Sequence, residues 1–538
     1  MENDENQLIQ ENDNHNVNQK KENSLKKTNK VLAILLILAV VIILIMLVWL
    51  ISYVKKNNND SDKNKSEITQ VSVKSEYKMS GNELEKFDLA FLKLENKKEN
   101  KLYSPLSIKY ALGMLSEGAK STSKAQIDAV IGDYSAKKYI NNSNMSFANA
   151  IFIRDTYKDS IKSTYINTLN DKYNAEVIYD SFKTADTINS WAKRKTFNLI
   201  DNLYSDMNNI DFALVNALAI DMEWVNRIQS NDDFYTVKFI HENFSTNINP
   251  FIGTGYHSLQ FDNSKQTVKS VELGAVINKY DIVNTLGEEK IKKEVKEAYE
   301  EYLKEDPCGT ASREPDANTY VEQYIKDIDS NYKHISSSTD FYFYDNDDIK
   351  VFAKDLKEYN NTTLQYIGIM PKKDTLDKYI ENMDSRQINN IIKNLKDITM
   401  DNFDEGVITK INGYIPMFNF NYELDLKSDL QTLGIKDVFD PEKTDISGLT
   451  SNKGSYIDNV SHKSSIEFSN EGIKAAAATV EGGLGDTSCG FVYNYDVPVK
   501  NIDLTFDNPY LFLIRDKNTG EVWFVGTVYE PIENERYK

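Results

Sequence analysis

Cysteine is almost absent. Only Cys308 and Cys489 occur in 538 residues, so neither a disulfide framework nor a zinc-finger spacing can be built. One bridge between them would need a fold that brings their Cα atoms within about 7 Å, and two free loop thiols are the simpler expectation. Histidine is scarce too. The five present are scattered and form no H-E-x-x-H pair, which removes the zinc-protease helix. There is no G-x-S-x-G elbow and no P-loop, and Gly483-Leu484-Gly485 lacks the rest of a dinucleotide fingerprint. No metal or cofactor is expected. Positive charge is in deficit, with 63 Lys and Arg against 82 Asp and Glu for a formal charge of −19. No long basic run lies outside the N-terminal tail, which excludes a nucleic-acid partner for want of a basic face. The surplus acid serves solubility. Only 10 prolines against 32 tyrosines, with 40% hydrophobic residues, argue for a large folded core.

What is there begins with one long apolar run. Residues 31–54 are almost all Leu, Ile, Val and Ala. At about 1.5 Å per residue the run covers about 36 Å, enough to cross a bilayer with some tilt. Trp49 and Tyr53 sit near one end, where aromatic rings favour the interface. The run is too long for a cleaved signal peptide, and no small-x-small site follows it. Lys20, Lys21, Lys26, Lys27 and Lys30 precede it, and Lys55, Lys56, Lys63 and Lys65 follow. That slight bias places the N-terminus in the cytoplasm and the C-terminal part outside the cell, as a single-pass membrane protein.

Residues 1–30 are rich in Asn, Gln, Glu and Lys and read as a disordered cytoplasmic tail. Residues 55–80 read as a polar stalk. Order is expected from about Asn82, where Leu84, Phe87, Phe91 and Leu94 recur at helical spacing. Segments 165–173 and 186–203 read as helices. Segments 212–219, 363–370 and 522–528 read as strands, rich in β-branched and apolar residues. Helices and strands mix without βαβ regularity, which predicts an α+β domain over 82–538 with largely buried sheets. The stretch 256–338 is highly charged and reads as an insertion. Within it Ile291, Val295, Tyr299 and Tyr302 mark one face of an amphipathic helix that Pro307 and Gly309 end.

Three stretches carry a resemblance. The first is 102–127, with Tyr103-Ser104-Pro105-Leu106-Ser107-Ile108 and then Glu117-Gly118-Ala119-Lys120. The second is Leu214-Val215-Asn216-Ala217 followed by Trp224. The third runs from His462-Lys463 through Asn470-Glu471-Gly472-Ile473-Lys474-Ala475-Ala476-Ala477-Ala478-Thr479 to Asp507-Asn508-Pro509-Tyr510-Leu511-Phe512-Leu513-Ile514-Arg515-Asp516. In kind and in order along the chain they resemble the serpin family of serine and cysteine protease inhibitors. The match is poorest over 256–338.

The resemblance implies a serpin fold, with three β-sheets, surrounding helices and an exposed reactive-centre loop. It implies a suicide inhibitor rather than an enzyme. A protease cuts the loop, the loop's N-terminal part enters a central sheet as a new strand, and the acyl-enzyme is trapped. Gly472 to Thr479 match the hinge of that loop, with Gly472 supplying backbone freedom. Ala475 to Ala478 are small enough to slide into a sheet. In the inserted strand Ile473, Ala475, Ala477 and Thr479 form the inward set, and Lys474 faces solvent. Glu481 also falls on the inward face, where an unpaired carboxylate is costly. Ile473 replaces a small hydroxyl residue common at that position. Family spacing from Gly472 puts the scissile bond at Asp486-Thr487, about fourteen residues on. An Asp there selects proteases with a cationic specificity pocket. The loop is longer than usual, and counting back from Pro509 leaves Leu484, Phe491, Tyr493 and Tyr495 as alternative bait.

Ser104, Ser107, Asn216 and His462 match a hydrogen-bonding cluster under the sheet-opening region, with a mechanical role for His462. Trp224 matches the point where the loop first enters. Asn470 and Met417 stand where the family carries an acid and a base. Two rival readings remain, a non-inhibitory surface binding protein with the same fold and a cell-surface hydrolase. Loop insertion separates the first from an inhibitor, and the second lacks any motif.

Overall fold

The computed structural model describes residues 87–132, 134–228, 257–260, 267–307, 309, 311–458, 460–473, 491, 493 and 495–531. The tail, the run 31–54, the stalk, both cysteines and the loop residues 474–490 lie outside these. Among the described residues no helix is long and apolar enough to cross a membrane.

The largest sheet is built from the most apolar segments. Strands Tyr510–Asp516, Val522–Val528 and Leu364–Pro371 are buried along their whole length. Such continuous apolar runs suit strands covered on both faces. They occupy the middle of a seven-stranded antiparallel sheet, flanked by Lys101–Tyr103 on one side. Ile349–Asp355, Tyr342–Asp345 and Lys396–Asp397 complete the other side.

A second sheet pairs Ile408–Pro416 with Thr267–Asn278 and, in parallel, with Val499–Asp503. His257–Gln260 and His334–Ser337 add to Thr267–Asn278. The charged stretch 256–338 therefore contributes three strands to a sheet as well as helices. The helical part is Ile282–Leu286, Glu288–Glu305 and Ala317–Ser330. Ile291, Val295 and Tyr299 are wholly buried on one face of Glu288–Glu305, as their spacing predicts. That helix ends at Glu305, with Asp306 in the left-handed region at φ 43°.

The third expected sheet is two ladders. One has Phe212–Ile220 and Ala175–Asp180 on either side of Met145–Arg154. The other joins Leu424 and its neighbours in Phe418–Asp425 to Ser461–Phe468, then to the short pairs Gly472–Ile473 and Met222–Glu223. Among the described residues no ladder joins Phe212–Ile220 to Ser461–Phe468. The expected count of three becomes four because this central pairing is missing.

Helix Pro105–Gly118 lies beneath the interruption. Ser104 caps it, accepting from the Ser107 N–H at 3.0 Å, and Pro105 takes the first turn, where its missing N–H costs nothing. The helix is buried on nearly every side and packs on Phe212–Ile220 and Val522–Val528. Helix Ser163–Tyr173 follows the sequence expectation. The helix expected over 186–203 stops at Lys195. Phe197 and Asn198 turn left-handed there, and the Asn189 side chain accepts from the Leu203 and Tyr204 N–H groups, reversing the chain.

A cluster of charged residues is sealed inside. Lys109 Nζ lies 3.2 Å from Asp88 and 2.9 Å from Glu521, and all three are buried. Burial pushes the Glu521 carboxyl up, and Lys109 opposes it. Removing the cation strands two carboxylates in a dry site. Lys109→Met is expected to cost about 3–5 kcal/mol in denaturant unfolding. Adding Glu521→Gln to that variant should recover part of the loss, and a loss under about 1 kcal/mol would show that the cluster is hydrated.

Candidate functional site

Two strand edges face one cavity. Among the described residues Phe212–Ile220 pairs only with Met145–Arg154, and Ser461–Phe468 is paired on its inner side only at Phe468. Between them lies a cavity of about 670 Å³. One wall is Phe212 to Leu218, the other is Val460 with His462 to Ser464, and Ser107, Ala111 and Leu115 of the buried helix form part of the floor.

The predicted polar cluster lines this cavity. His462 Nε2 accepts the Ser104 N–H at 3.0 Å and a hydrogen bond from the Ser464 hydroxyl at 2.8 Å. With two donors on Nε2 the ring proton sits on Nδ1, so His462 is neutral. Burial alone pushes its pKa down to about 4. This environment gives a structural histidine, not a general base poised near neutrality. On the opposite wall the Asn216 amide donates to Asn149 Oδ1 at 2.8 Å, and Asn149 in turn donates to Tyr173 O at 2.8 Å. Asn216 Oδ1 is buried with no hydrogen-bond partner among the described residues. Asn149 was not anticipated from sequence. Its only signal was a lone amide in the apolar strand Met145–Arg154.

The upper end of the gap is closed by two residues. Gly472 pairs with Glu223 and Ile473 with Met222, while Ile473 also pairs with Phe468. Trp224 pins this closure. Its indole N–H donates to Ser469 O at 3.0 Å and its backbone N–H to Glu471 O at 2.9 Å. The Trp224 ring meets Phe468 edge-on at 5.7 Å, and Ile473 is buried. Gly472 is needed for closeness rather than for freedom. A Cβ there would lie 2.2 Å from Met222 O and 2.7 Å from Glu223 Cα. Asn470 and Met417 are both buried, Met417 just before Phe418–Asp425 and Asn470 between Ser461–Phe468 and Gly472–Ile473.

The structure thus brings Ser104, Ser107, Asn216 and His462 to one cavity and sets Trp224, Gly472 and Ile473 at its top. Lys474 to Thr479, Asp486 and Thr487 lie outside the described residues.

The comparisons return one family and its fold. The family profile for Serpin (serine protease inhibitor) matches residues 86–300 and 323–531. The chain belongs to the serpin family, whose members are typically protease inhibitors rather than enzymes. Serpin B3 of Homo sapiens is 24% identical over 486 residues, covering 83% of this chain and 97% of that protein. An uncharacterized serpin-like protein of Methanosarcina acetivorans is 23% identical, covering 83% and 84%. Among solved structures, the thermophilic serpin Tengpin in its native state superposes with TM-score 0.54 at 20% identity, covering 86% of this chain and 98% of that one. Thyroxine-binding globulin in complex with thyroxine gives 0.53 at 17%, covering 83% and 98%. These superpositions establish the serpin fold. The profile leaves only 301–322 unmatched inside the domain, a narrower stretch than the 256–338 read as an insertion.

The neutral ring of His462 makes a pH prediction. An unfolded histidine takes a proton near 6.5, the buried one only near 4. The unfolded state therefore holds the extra proton between these values, and stability rises with pH across that window. The contribution is full above about pH 6.5 and is lost as pH falls toward about 4, by on the order of 3 kcal/mol. Unfolding midpoints measured from pH 7 to pH 4.5 should fall more steeply for the native chain than for His462→Gln, whose amide can still accept from Ser104. Equal slopes would contradict this.

Proposed function

We propose that this chain is a suicide inhibitor of an extracytoplasmic serine or cysteine protease, held at the membrane by residues 31–54. The observation that carries the reading is the gap between Phe212–Ile220 and Ser461–Phe468, occupied among the described residues only at its top by Gly472–Ile473. Two strand edges flanking a cavity are a receptor for an added strand, serpins being a standard example of that mode. Ile473 already sits in register, so continuing the strand past it needs no new turn.

The protease hydroxyl or thiol attacks the Asp486 carbonyl carbon. The Asp486-Thr487 bond breaks, the Thr487 nitrogen leaves as an amine with the transferred proton, and Asp486 remains on the protease as an acyl ester or thioester. Residues after Ile473 then enter the gap. Because Ile473 faces the core, alternation turns Ala475, Ala477 and Thr479 inward over the cavity and Lys474 outward. Asn216 Oδ1, unpartnered among the described residues, supports a cluster that gains a partner when a strand arrives. Anchoring would confine the trap to proteases that reach the cell surface.

The test is incubation of the full chain, in mild detergent, with a panel of proteases that includes Asp-selective ones. A denaturant-resistant complex cut after Asp486 is expected. Ala477→Arg should be cut as fast yet form no complex, because a guanidinium on the inward face blocks entry. Cutting without any complex would leave the non-inhibitory surface binding reading. Deleting residues 31–54 should move the chain from the membrane fraction to the soluble fraction, and unchanged partition would remove the anchor.

A further inference from the structure

The chain that follows the loop is held between two helices. Glu288–Glu305 and Ala317–Ser330 pack together, and Ile291, Val295, Val321 and Ile328 join one apolar cluster with Val276 of the second sheet. Tyr299 and Tyr320 stack across the pair with centroids 3.9 Å apart and planes 11° from parallel. Phe491 is seated against this stack, 5.1 Å from Tyr299, 5.3 Å from Tyr302 and 5.6 Å from Tyr320.

The backbone is held as well as the ring. The Tyr320 hydroxyl donates to Phe491 O at 3.2 Å, and the Tyr324 hydroxyl donates to Tyr493 O at 3.3 Å. Two residues on, the Tyr495 hydroxyl donates to Glu294 Oε2 at 3.1 Å. Phe491, Tyr493 and Tyr495 thus each bond to a side chain of the helix pair. Val497 and Val499 continue onto the same apolar cluster before Val499–Asp503 joins its sheet. Tyr302 and Tyr320 both lie in the stretch 301–322 that the family profile does not match.

We infer that these two helices are a clamp on the C-terminal end of the reactive loop, which makes Phe491 an anchor and denies Phe491, Tyr493 and Tyr495 to proteases as bait. Cleavage after Phe491 or Tyr493 needs that residue's carbonyl oxygen in the protease's oxyanion hole. Those two oxygens already accept from Tyr320 and Tyr324. A chymotrypsin-like pocket would also have to take the Phe491 ring, which is packed on three tyrosines. Tyr495 is tied by its own hydroxyl. The clamp confines cutting to bonds before Phe491 and so favours Asp486 over the aromatic alternatives. As a statement about bait it rests on the inhibitory reading, but the clamp itself does not.

Limited chymotrypsin digestion of the full chain, with fragments mapped by mass spectrometry, tests it. The native chain should resist cutting after Phe491, Tyr493 and Tyr495. Tyr320→Ala should raise cutting after Phe491 and Tyr493 roughly tenfold, and Tyr320→Phe should raise it less, since only the hydroxyl is lost. Phe491→Ala leaves both helices intact and should expose Tyr493 to a similar degree with an unchanged thermal midpoint. Native cutting after Phe491 or Tyr493 at the rate of the variants would overturn the clamp. Digestion reads the clamp whether or not any protease is trapped. Protected aromatics with no stable complex would therefore retire the inhibitory reading and leave the clamp standing.

Discussion

Everything in the site depends on a missing set of backbone hydrogen bonds. Phe212–Ile220 and Ser461–Phe468 run beside the same cavity, and among the described residues only Gly472 and Ile473 bridge the space between them. An unpaired strand edge is a liability that folded proteins normally cover or blunt. Here two such edges are kept facing each other inside the molecule. Each ladder bond they forgo is worth about 0.5–1.5 kcal/mol net. A strand that filled the gap would therefore gain several kcal/mol from the ladders alone, before any burial is counted. That unclaimed stabilisation is what a cleaved loop could draw on.

The rest of the fold holds the gap open without letting it fall apart. Tyr366 bridges the seven-stranded sheet to the split one, stacking on Phe512 at 5.6 Å and meeting Phe468 at 5.0 Å. Trp224 fastens the top through Ser469 and Glu471, and Gly472 permits the close approach that this fastening needs. Beneath, the neutral His462 ties its strand to the start of the buried helix through Ser104. Each tie is a short polar contact or an aromatic pair, worth about 1 kcal/mol. Such ties can yield one at a time if the strands part.

Much of this was legible because it rests on local patterns. The apolar runs at 212–219 and 522–528 suit buried strands, and both form them. Motif order placed Ser104, Asn216 and His462 in one region, although Ser104 and His462 are 358 residues apart. What stayed hidden depends on distant partners. Strand Thr267–Asn278 carries Lys269 and Glu272, which look like solvated insertion. Glu272 instead lies opposite Tyr414 in the register, with its carboxyl pushed up by burial to about 7. Phe491, Tyr493 and Tyr495 read as exposed bait because their partners lie far earlier in the chain, Tyr320 by 171 residues from Phe491, Tyr324 by 169 from Tyr493 and Glu294 by 201 from Tyr495. The sequence also showed no reason for helix 186–203 to end at Lys195. That stop comes from Asn189 capturing two backbone N–H groups of the returning chain.

The most direct measurement compares the thermal unfolding of the intact chain with that of the same chain cut once within 474–490 by a protease it does not trap. If the gap accepts the freed segment as a strand, the midpoint rises by more than roughly 10 °C, because a new ladder forms on both edges. An unchanged or lower midpoint after a clean single cut would mean that the two edges are not a strand receptor, and the account of the cavity would be wrong.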